Sequence, residues 1–583
     1  MTPARSTSGP PLGDFLAALQ ERWRGLSRDD LLAVLVGHAE RLPVRDRQAF
    51  LDIFPDPAVE PPERAQSPTM DLLAGIDEFA ARVAAGEYAD DEEYYRDRYG
   101  WSDEEAAAWV PEADALFAAT GDVFVAGDLD NAREAYQRLL AQFGPQGDDA
   151  WSLELWRLED TDVPETLARY LRCVYQTTPA DGRAEAVHQA YLDLPWSPSA
   201  PMLADLASTC REALSGLEAF LPCWIECLLS ETGHPPLQQR VRLLAEAATL
   251  SNGVDGLAAL ARRSGPHQGG VGLARIDALA AAGRVHDAVA AAGEMLDLPH
   301  LDARQHAEAA DRLADLHTRL ANPRAAVQAR RRAWTGGPTR QRLLALAGSS
   351  RDAGVLAETL AAEAGALDTT SRAGTDRLGC ELLLLAGRLD QAIAALAGSE
   401  PLGWHRASHP GPIVLPFLWA AATGTAPTTD AGHLGQAFSA IDHDPDTLPR
   451  LEDWHQQAAN PPTRADKQEP AGPRLTALLA DVILRLPDDA DDSNRWITTA
   501  TTVVDARIHA IVSGKHRSAY ARAASLAFAH AETLAAMDRE AEAHAYLNGV
   551  RTRFPRHVAF RGELDAAAGT STLDVRQPSR TQR

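Results

Sequence analysis

Along nearly the whole chain, apolar residues recur at three- and four-residue intervals, the spacing that gathers them on one face of a helix. No run alternates β-branched with polar residues long enough to predict a strand, so the expected fold class is all-α. Two short amphipathic helices are expected at Phe15–Leu19 and Leu31–Leu42. Ser27, Asp29 and Asp30 stand where they would cap the second and meet the positive end of its dipole. From Pro55 to Pro68 five prolines interrupt the pattern, and a segment that cannot sustain a helix reads as a semi-rigid linker.

Beyond that linker one phrase recurs: a small or turn residue followed five positions later by Ala. It occurs as Gly127 with Ala132, Gly283 with Ala288, Gly348 with Ala353, Gly387 with Ala392, and Asp538 with Ala543. A further copy, Leu313 to Trp334, turns at Asn322-Pro323. Gly or Asp permits the reversal between two helices, and a small Ala lets the second lie close on the first. The phrase resembles the tetratricopeptide helical hairpin, whose period is about 34 residues. The steps here, read from Gly283 through Asn322 and Gly348 to Gly387, are 39, 26 and 39. They predict a degenerate tetratricopeptide-like solenoid with extra loops at Pro195–Pro201, Gly265–Gly272 and Trp404–Pro416. The expected organisation is a disordered leader (1–11), an N-terminal helical unit (12–54), the Pro-rich linker (55–69), an acidic segment followed by the solenoid (70–444), a loose linker (445–473), a C-terminal helical unit (474–565) and a disordered tail (566–583).

Charge sharpens this picture. The 583 residues carry a formal net charge of −26, which argues against indiscriminate coating of nucleic acid or anionic membrane. The charge is segregated. Between Asp71 and Asp130 there are 17 acidic and 3 basic residues, and within this stretch Tyr94, Tyr95, Tyr99 and Trp101 are interleaved with acids. Aromatic anchors of this kind are enriched at protein interfaces; the alternative is an acidic connection whose aromatics tuck against the first hairpin. Leu316 to Ser350, in contrast, holds seven Arg and no acid. Arg324, Arg331 and Arg342 would line a groove for acidic peptide or phosphate, or the tract pairs with acids of the chain. From Asp505 onward 12 basic residues stand against 8 acidic ones.

Catalytic signatures fail on inspection. Lys515 follows Gly514, but His509 and His516 occupy the positions where a phosphate loop needs Gly and Ser or Thr. Gly270-Val-Gly272 lacks the third glycine of a dinucleotide fingerprint, and Asp488–Asp492 lacks the Gly and Glu of a calcium loop. Cys223 and Cys227 are four apart in an apolar helix, with His234 seven residues on, and His405 and His409 are also four apart. Buried cysteines and a Pro-rich loop explain these pairs better than a metal does. No cofactor or metal is expected. The five cysteines fit no disulfide framework, and the most apolar stretch, Ile413–Ala422, falls short of the roughly 20 residues that span a bilayer. A cytoplasmic protein without a membrane segment is expected.

The C-terminal residues read Gly514-Lys-His-Arg517, Tyr520, Ala523-Ala524, then Phe554-Pro-Arg-His557, Ala559-Phe560 and Glu563-Leu564. This pattern resembles the C-terminal helical segment of bacterial SWIM zinc-finger family proteins and implies kinship with their helical-repeat appendage. The Cys-x-Cys of the zinc cluster is absent, so zinc and nucleic-acid binding do not follow. Lys515, His516 and Arg517, with Arg522, are read either as an anion or acidic-peptide contact or as groups capping neighbouring carbonyls and pairing with acids. The function expected is a non-catalytic scaffold or adaptor that binds a protein partner. The alternative is an accessory nucleic-acid-binding or regulatory factor using the Arg tract and the basic C-terminal unit. No small-molecule substrate is expected.

Overall fold

The computed structural model describes residues 22, 68–88, 108–145, 152–195, 200–230, 236–367, 376–428, 430, 432–442, 473–487 and 489–573. The helices expected at 15–19 and 31–42, the leader, most of the Pro-rich linker, Tyr94, Tyr95, Tyr99, Trp101 and residues 445–472 lie outside them. The described chain is all-α apart from a two-residue antiparallel pairing of β1 (Gly144–Pro145) with β2 (Ser152–Leu153). It forms two compact units, divided between Ala278 and Leu279. None of the described helices is long and apolar enough to cross a membrane.

The first unit contains α1 (Pro68–Ala84), α2 (Val110–Val125), α3 (Leu129–Leu140), the β1–β2 pairing, α4 (Val163–Thr177), α5 (Arg183–Asp193), α6 (Leu203–Ser208), α7 (Leu217–Ser230), α8 (Leu237–Ala261) and most of α9 (Gln268–Ala281). Phe79, Phe117, Tyr136, Tyr175 and Trp224 are among the large members of its core. Tyr88, from the acidic aromatic stretch, is buried against Phe79 and donates to Glu112 at 3.0 Å. The tucked arrangement therefore holds for this tyrosine. Short elements are pinned by side chains, because a six-residue helix does not hold itself together. Glu246 accepts from the Leu203 and Ala204 amides at the start of α6, at 2.7 and 2.8 Å, while the buried Arg172 donates to the Leu206 carbonyl near its end at 3.0 Å.

The second unit continues with α10 (Val285–Leu296), α11 (Ala303–Arg319), α12 (Pro323–Gly336), α13 (Arg340–Asp352), α14 (Leu356–Ala366), α15 (Arg377–Leu385), α16 (Leu389–Ala397), α17 (Gly411–Thr423), α18 (Gly432–Ser439), α19 (Leu475–Ile483), α20 (Ala490–Ser513), α21 (Tyr520–Ala536), α22 (Glu540–Arg553) and α23 (Val558–Ala568). The apolar stretch Ile413–Ala422 is its central helix, α17, buried on every side, with α18, α20 and α21 packed around it. Three expectations are corrected here. Residues 474–565 do not form a separate unit, because α20 and α21 share one continuous core with α13–α17. Residues 566–573 are ordered and not part of a tail: α23 runs to Ala568, and beyond it the Ser571 hydroxyl and Thr572 amide bind the buried Glu532 carboxylate at 2.7 and 3.1 Å. The expected loops at 265–272 and 404–416 are partly helical, since α9 begins at Gln268 and α17 at Gly411.

The recurring phrase has a definite geometry. At Gly127, Gly283, Ala321, Gly354, Gly387 and Asp538 the backbone is left-handed, with φ between 53° and 84°. Each of these amides donates to the carbonyl three residues back, and the next amide to the carbonyl five residues before it. This is the double bond of a Schellman C-cap. The residue after the left-handed one is also the N-cap of the following helix, because its carbonyl accepts the first helical bond, from the residue five positions past the turn. That fifth residue is buried every time: Ala132, Ala288, Ala326, Thr359, Ala392 and Ala543. A larger side chain there would force the paired helices apart. The assignment of Gly348 as a turn was wrong. Gly348 lies inside α13, which continues because Leu343, Leu346, Ala347 and Ser350 keep its face buried, and the reversal comes at Gly354. With Ala321 and Gly354 as the turns, the steps from Gly283 to Gly387 are 38, 33 and 33 residues.

Three helices of the second unit meet on His530. The Trp419 indole N–H of α17 donates to Nδ1 at 3.2 Å, so the proton sits on Nε2, which lies 3.0 Å from the Thr501 hydroxyl of α20. That hydroxyl donates onward to the Ile497 carbonyl and is free to accept. The ring is neutral, and burial pulls its pKa down to about 4, with the Arg539 charge acting in the same direction and Asp505 against it. An unfolded His titrates near 6.5, so between about pH 6.5 and 4 the unfolded chain binds the extra proton. Stability is full above this window and falls as the pH drops through it. We expect a loss of about 3 kcal/mol across the window from this residue. Denaturant melts at both ends of the window would show it, and His530→Gln, which can accept from Trp419 and donate to Thr501, should flatten the dependence. Equal pH slopes in the two proteins would refute the assignment.

Candidate functional site

The acid-free Arg tract acquires its counter-charges through folding. Arg330 pairs with Asp311 at 3.0 Å and with Asp315, Arg342 with Asp311 at 2.7 Å, and Arg331 with Glu363 at 2.5 Å. Arg340 and Arg377 both bind Glu381, whose side chain is almost wholly buried. These acids lie on α11, α14 and α15, just outside the tract, and not in the acidic segment. Antiparallel helix pairs sit close enough for a long Arg to reach the neighbouring helix, which sequence spacing alone does not reveal. Arg319 donates to the Ala280 carbonyl at 3.2 Å, and Arg324 is exposed.

A groove of about 940 Å³ lies beside this network, lined by Asp315, Ala326, Arg330, Leu344, Ala345 and Arg351 among others. It crosses the α11–α12 hairpin and α13. The expected lining of Arg324, Arg331 and Arg342 is corrected to Arg330, Arg340, Arg351 and Arg474. The reason is register. Arg331 faces α14, and Arg342 turns back to Asp311 and the Gly337 carbonyl.

A second, smaller cavity of about 330 Å³ went unread in the sequence, apart from Arg522. Arg507 projects from α20 and is buried, 7% exposed. Its guanidinium lies 3.9 Å from the centroid of the Trp404 ring, its Nη1 donates to the Pro401 carbonyl at 2.9 Å, and its buried Nε meets no acceptor. Burial, with the nearby Arg522 charge adding to it, lowers its pKa to about 10. Trp404 reaches this position across Gly411, where a Cβ would stand 2.5 Å from the indole. The floor of the turn is set by His409. Its Nδ1 accepts from the Gly411 amide at 3.0 Å, so Nε2 carries the proton and donates to the Glu400 carbonyl at 2.8 Å. Both nitrogens of His409 are thus committed to backbone, and its pairing with the exposed His405 is not a ligand pair. On the far wall, His433 donates from Nε2 to the Ala567 carbonyl at 2.9 Å, which leaves its buried Nδ1 an acceptor without a donor. One sequence signal pointed here. Val504, Arg507, Ile508 and Ile511 form a single apolar stripe interrupted by a charge.

Lys515, His516 and Arg517 occupy the turn between α20 and α21, Lys515 itself left-handed at φ 58°. All three are exposed, and among the described residues neither Lys515 nor Arg517 caps a carbonyl with its side chain or pairs with an acid, the structural one of the two readings. Tyr520, Ala523 and Ala524 pack inward, as their spacing predicts. On α7, Cys223 is exposed and Cys227 half-buried, while Phe220, Leu221, Trp224 and Leu228 face the core. The expectation of two core-buried thiols is thereby corrected. Burial raises the Cys227 pKa, which disfavours the thiolate a metal requires. Among the described residues no three His, Cys, Asp or Glu side chains are grouped to hold a metal ion. His234 lies outside those residues.

No protein-family model matches the chain, and no curated protein matches it.

Glu381 neutralises two buried guanidinium groups, so removing its charge leaves both uncompensated. Glu381→Gln is expected to cost about 3 kcal/mol or more in denaturant unfolding. Arg340→Met should cost less in that background than in the parent. Additive losses in the double-mutant cycle would show that the two side chains are not coupled.

Proposed function

We propose that this chain is a non-catalytic helical-repeat protein of the tetratricopeptide type that binds a protein partner as a scaffold or adaptor. The observation that carries the reading is the succession of identical capped turns at Ala321, Gly354 and Gly387, 33 residues apart. That is close to the roughly 34-residue period of such repeats, which use stacked hairpins as extended binding surfaces. The groove over α11, α12 and α13 lies within this stretch, and its mixed lining of Leu344 and Ala345 with the exposed Arg351, which holds no carboxylate among the described residues, suits a peptide segment carrying both apolar and acidic side chains. All five cysteines are unpaired, in keeping with a reducing cytoplasm. Kinship of the Gly514–Leu564 segment with the helical appendage of SWIM zinc-finger proteins rests on its residue pattern.

Nucleic acid is the weaker partner. Phosphate contacts need free cations, and four of the seven arginines in the tract already hold carboxylates.

Ala345→Trp fills the groove from its own wall. Crosslinked affinity purification from the native cell is expected to recover a partner with the parent chain and to lose it with this variant, at unchanged thermal unfolding. Recovery of the same partner with both would exclude the groove. Steeply salt-dependent binding of the parent to duplex or single-stranded oligonucleotides would shift the assignment to nucleic acid.

A further inference from the structure

We propose that the cavity walled by Trp404, Arg507 and Arg522 is a binding site for a small organic carboxylate with an apolar body. This does not rest on the partner-binding reading, and the cavity shares no lining residue with the groove.

The argument begins with charge. Arg340 and Arg377 have Glu381, and the buried Arg172 donates to carbonyls at the end of α6. Arg507 is 7% exposed, and among the described residues no carboxylate pairs with it; Arg172 likewise meets only carbonyls, but it meets three, those of Leu206, Ala207 and Glu212, where Arg507 meets one. Its one acceptor is the Pro401 carbonyl, on Nη1. Arg522, on the next helix, lines the same cavity, is exposed and likewise pairs with no acid among the described residues. Two cations therefore share one pocket with no anion between them. A buried charge without a counter-charge is costly, and replacing it by an apolar side chain would ordinarily stabilise the fold. An arginine kept in such a place points to a bound anion.

Geometry selects the kind of anion. Of the two N–H edges of the Arg507 guanidinium, the one used by Pro401 involves Nη1. The other edge sets Nε–H beside an Nη2 N–H, two parallel donors spaced for the two oxygens of a carboxylate. Nε is buried and without a partner, as it also is in Arg172 and Arg330; what sets Arg507 apart is the cavity and the second cation beside it. Trp404 covers the guanidinium face, so a ligand enters in its plane. The rest of the wall is mixed, with Pro412, Ala437 and Leu526 apolar and Gln436 and Ser525 polar, which suits an apolar body that also carries a polar substituent. A volume of about 330 Å³ is at the small end for ligand pockets and fits a metabolite-sized acid, not a folded partner.

Calorimetric titration of the full chain tests this with benzoate, mandelate and succinate as carboxylate probes, benzyl alcohol as the neutral counterpart and inorganic phosphate as the competing anion. At least one carboxylate is expected to bind one-to-one, and at least tenfold more tightly than benzyl alcohol or phosphate. Arg522→Gln should weaken it several-fold, and Arg507→Met should abolish it while melting no lower than the parent. That last result separates a binding role from a structural one, since an arginine needed for packing would lower the melting temperature when replaced. The proposal is overturned if no carboxylate probe binds at about 10 mM, a level that detects affinities weaker than millimolar. Binding that survives Arg507→Met, tighter binding of phosphate, or a marked loss of stability in Arg507→Met would overturn it equally.

Discussion

The architecture depends on one closure. At each capped turn a single residue ends one helix and begins the next, so the two helices leave the reversal in van der Waals contact. Only a small side chain fits five positions on, and Ala or Thr stands there at Ala132, Ala288, Ala326, Thr359, Ala392 and Ala543. The close approach has a second effect. It brings long side chains on adjacent helices within reach, which is how Arg330 and Arg342 converge on Asp311 and how Arg340 finds Glu381. Small residues at the seams and long cations beside them are two sides of the same packing solution.

Polar groups inside the second unit are settled helix by helix. Glu532 ties the start of α18 to the residues after α23, and His530 ties α17 to α20. These bonds are directional, and in a core composed largely of Ala and Leu they fix how the helices are placed, a choice that apolar contacts alone leave loose. Arg507 stands apart. It is held in place by Trp404 and one carbonyl, but its charge is not neutralised. The contrast is with Arg340 and Arg377, which share the Glu381 carboxylate, and with Arg172, which reaches three carbonyls.

The division into two units also alters the meaning of charge segregation. The Arg-rich tract is a structural element of the second unit, matched by acids on flanking helices, while part of the acidic stretch is consumed within the first. Asp114 accepts from the amides of Glu159, Asp160 and Thr161, and Glu112 accepts from Arg82 and Tyr88. Charge runs read along a sequence are therefore poor guides to free surface in a helical-hairpin protein, because each run lies against a neighbour of different composition.

The amino-acid sequence by itself determined the helical class, since periodicity is local and extends through nearly every segment. It also marked most of the hairpin turns, since Gly127, Gly283, Gly387 and Asp538 adopt the left-handed backbone that their side chains tolerate. It misplaced the turn near Gly348 and set the turn at Ala321 one residue late, at Asn322-Pro323. Alanine carries no turn signal, and a glycine inside a buried helix face is held helical by its neighbours. Only the tertiary structure decided which arginines are free, where the units divide, and that Trp404 and Arg507 meet across about a hundred residues of chain. Those outcomes depend on distances between helices, which no local pattern encodes.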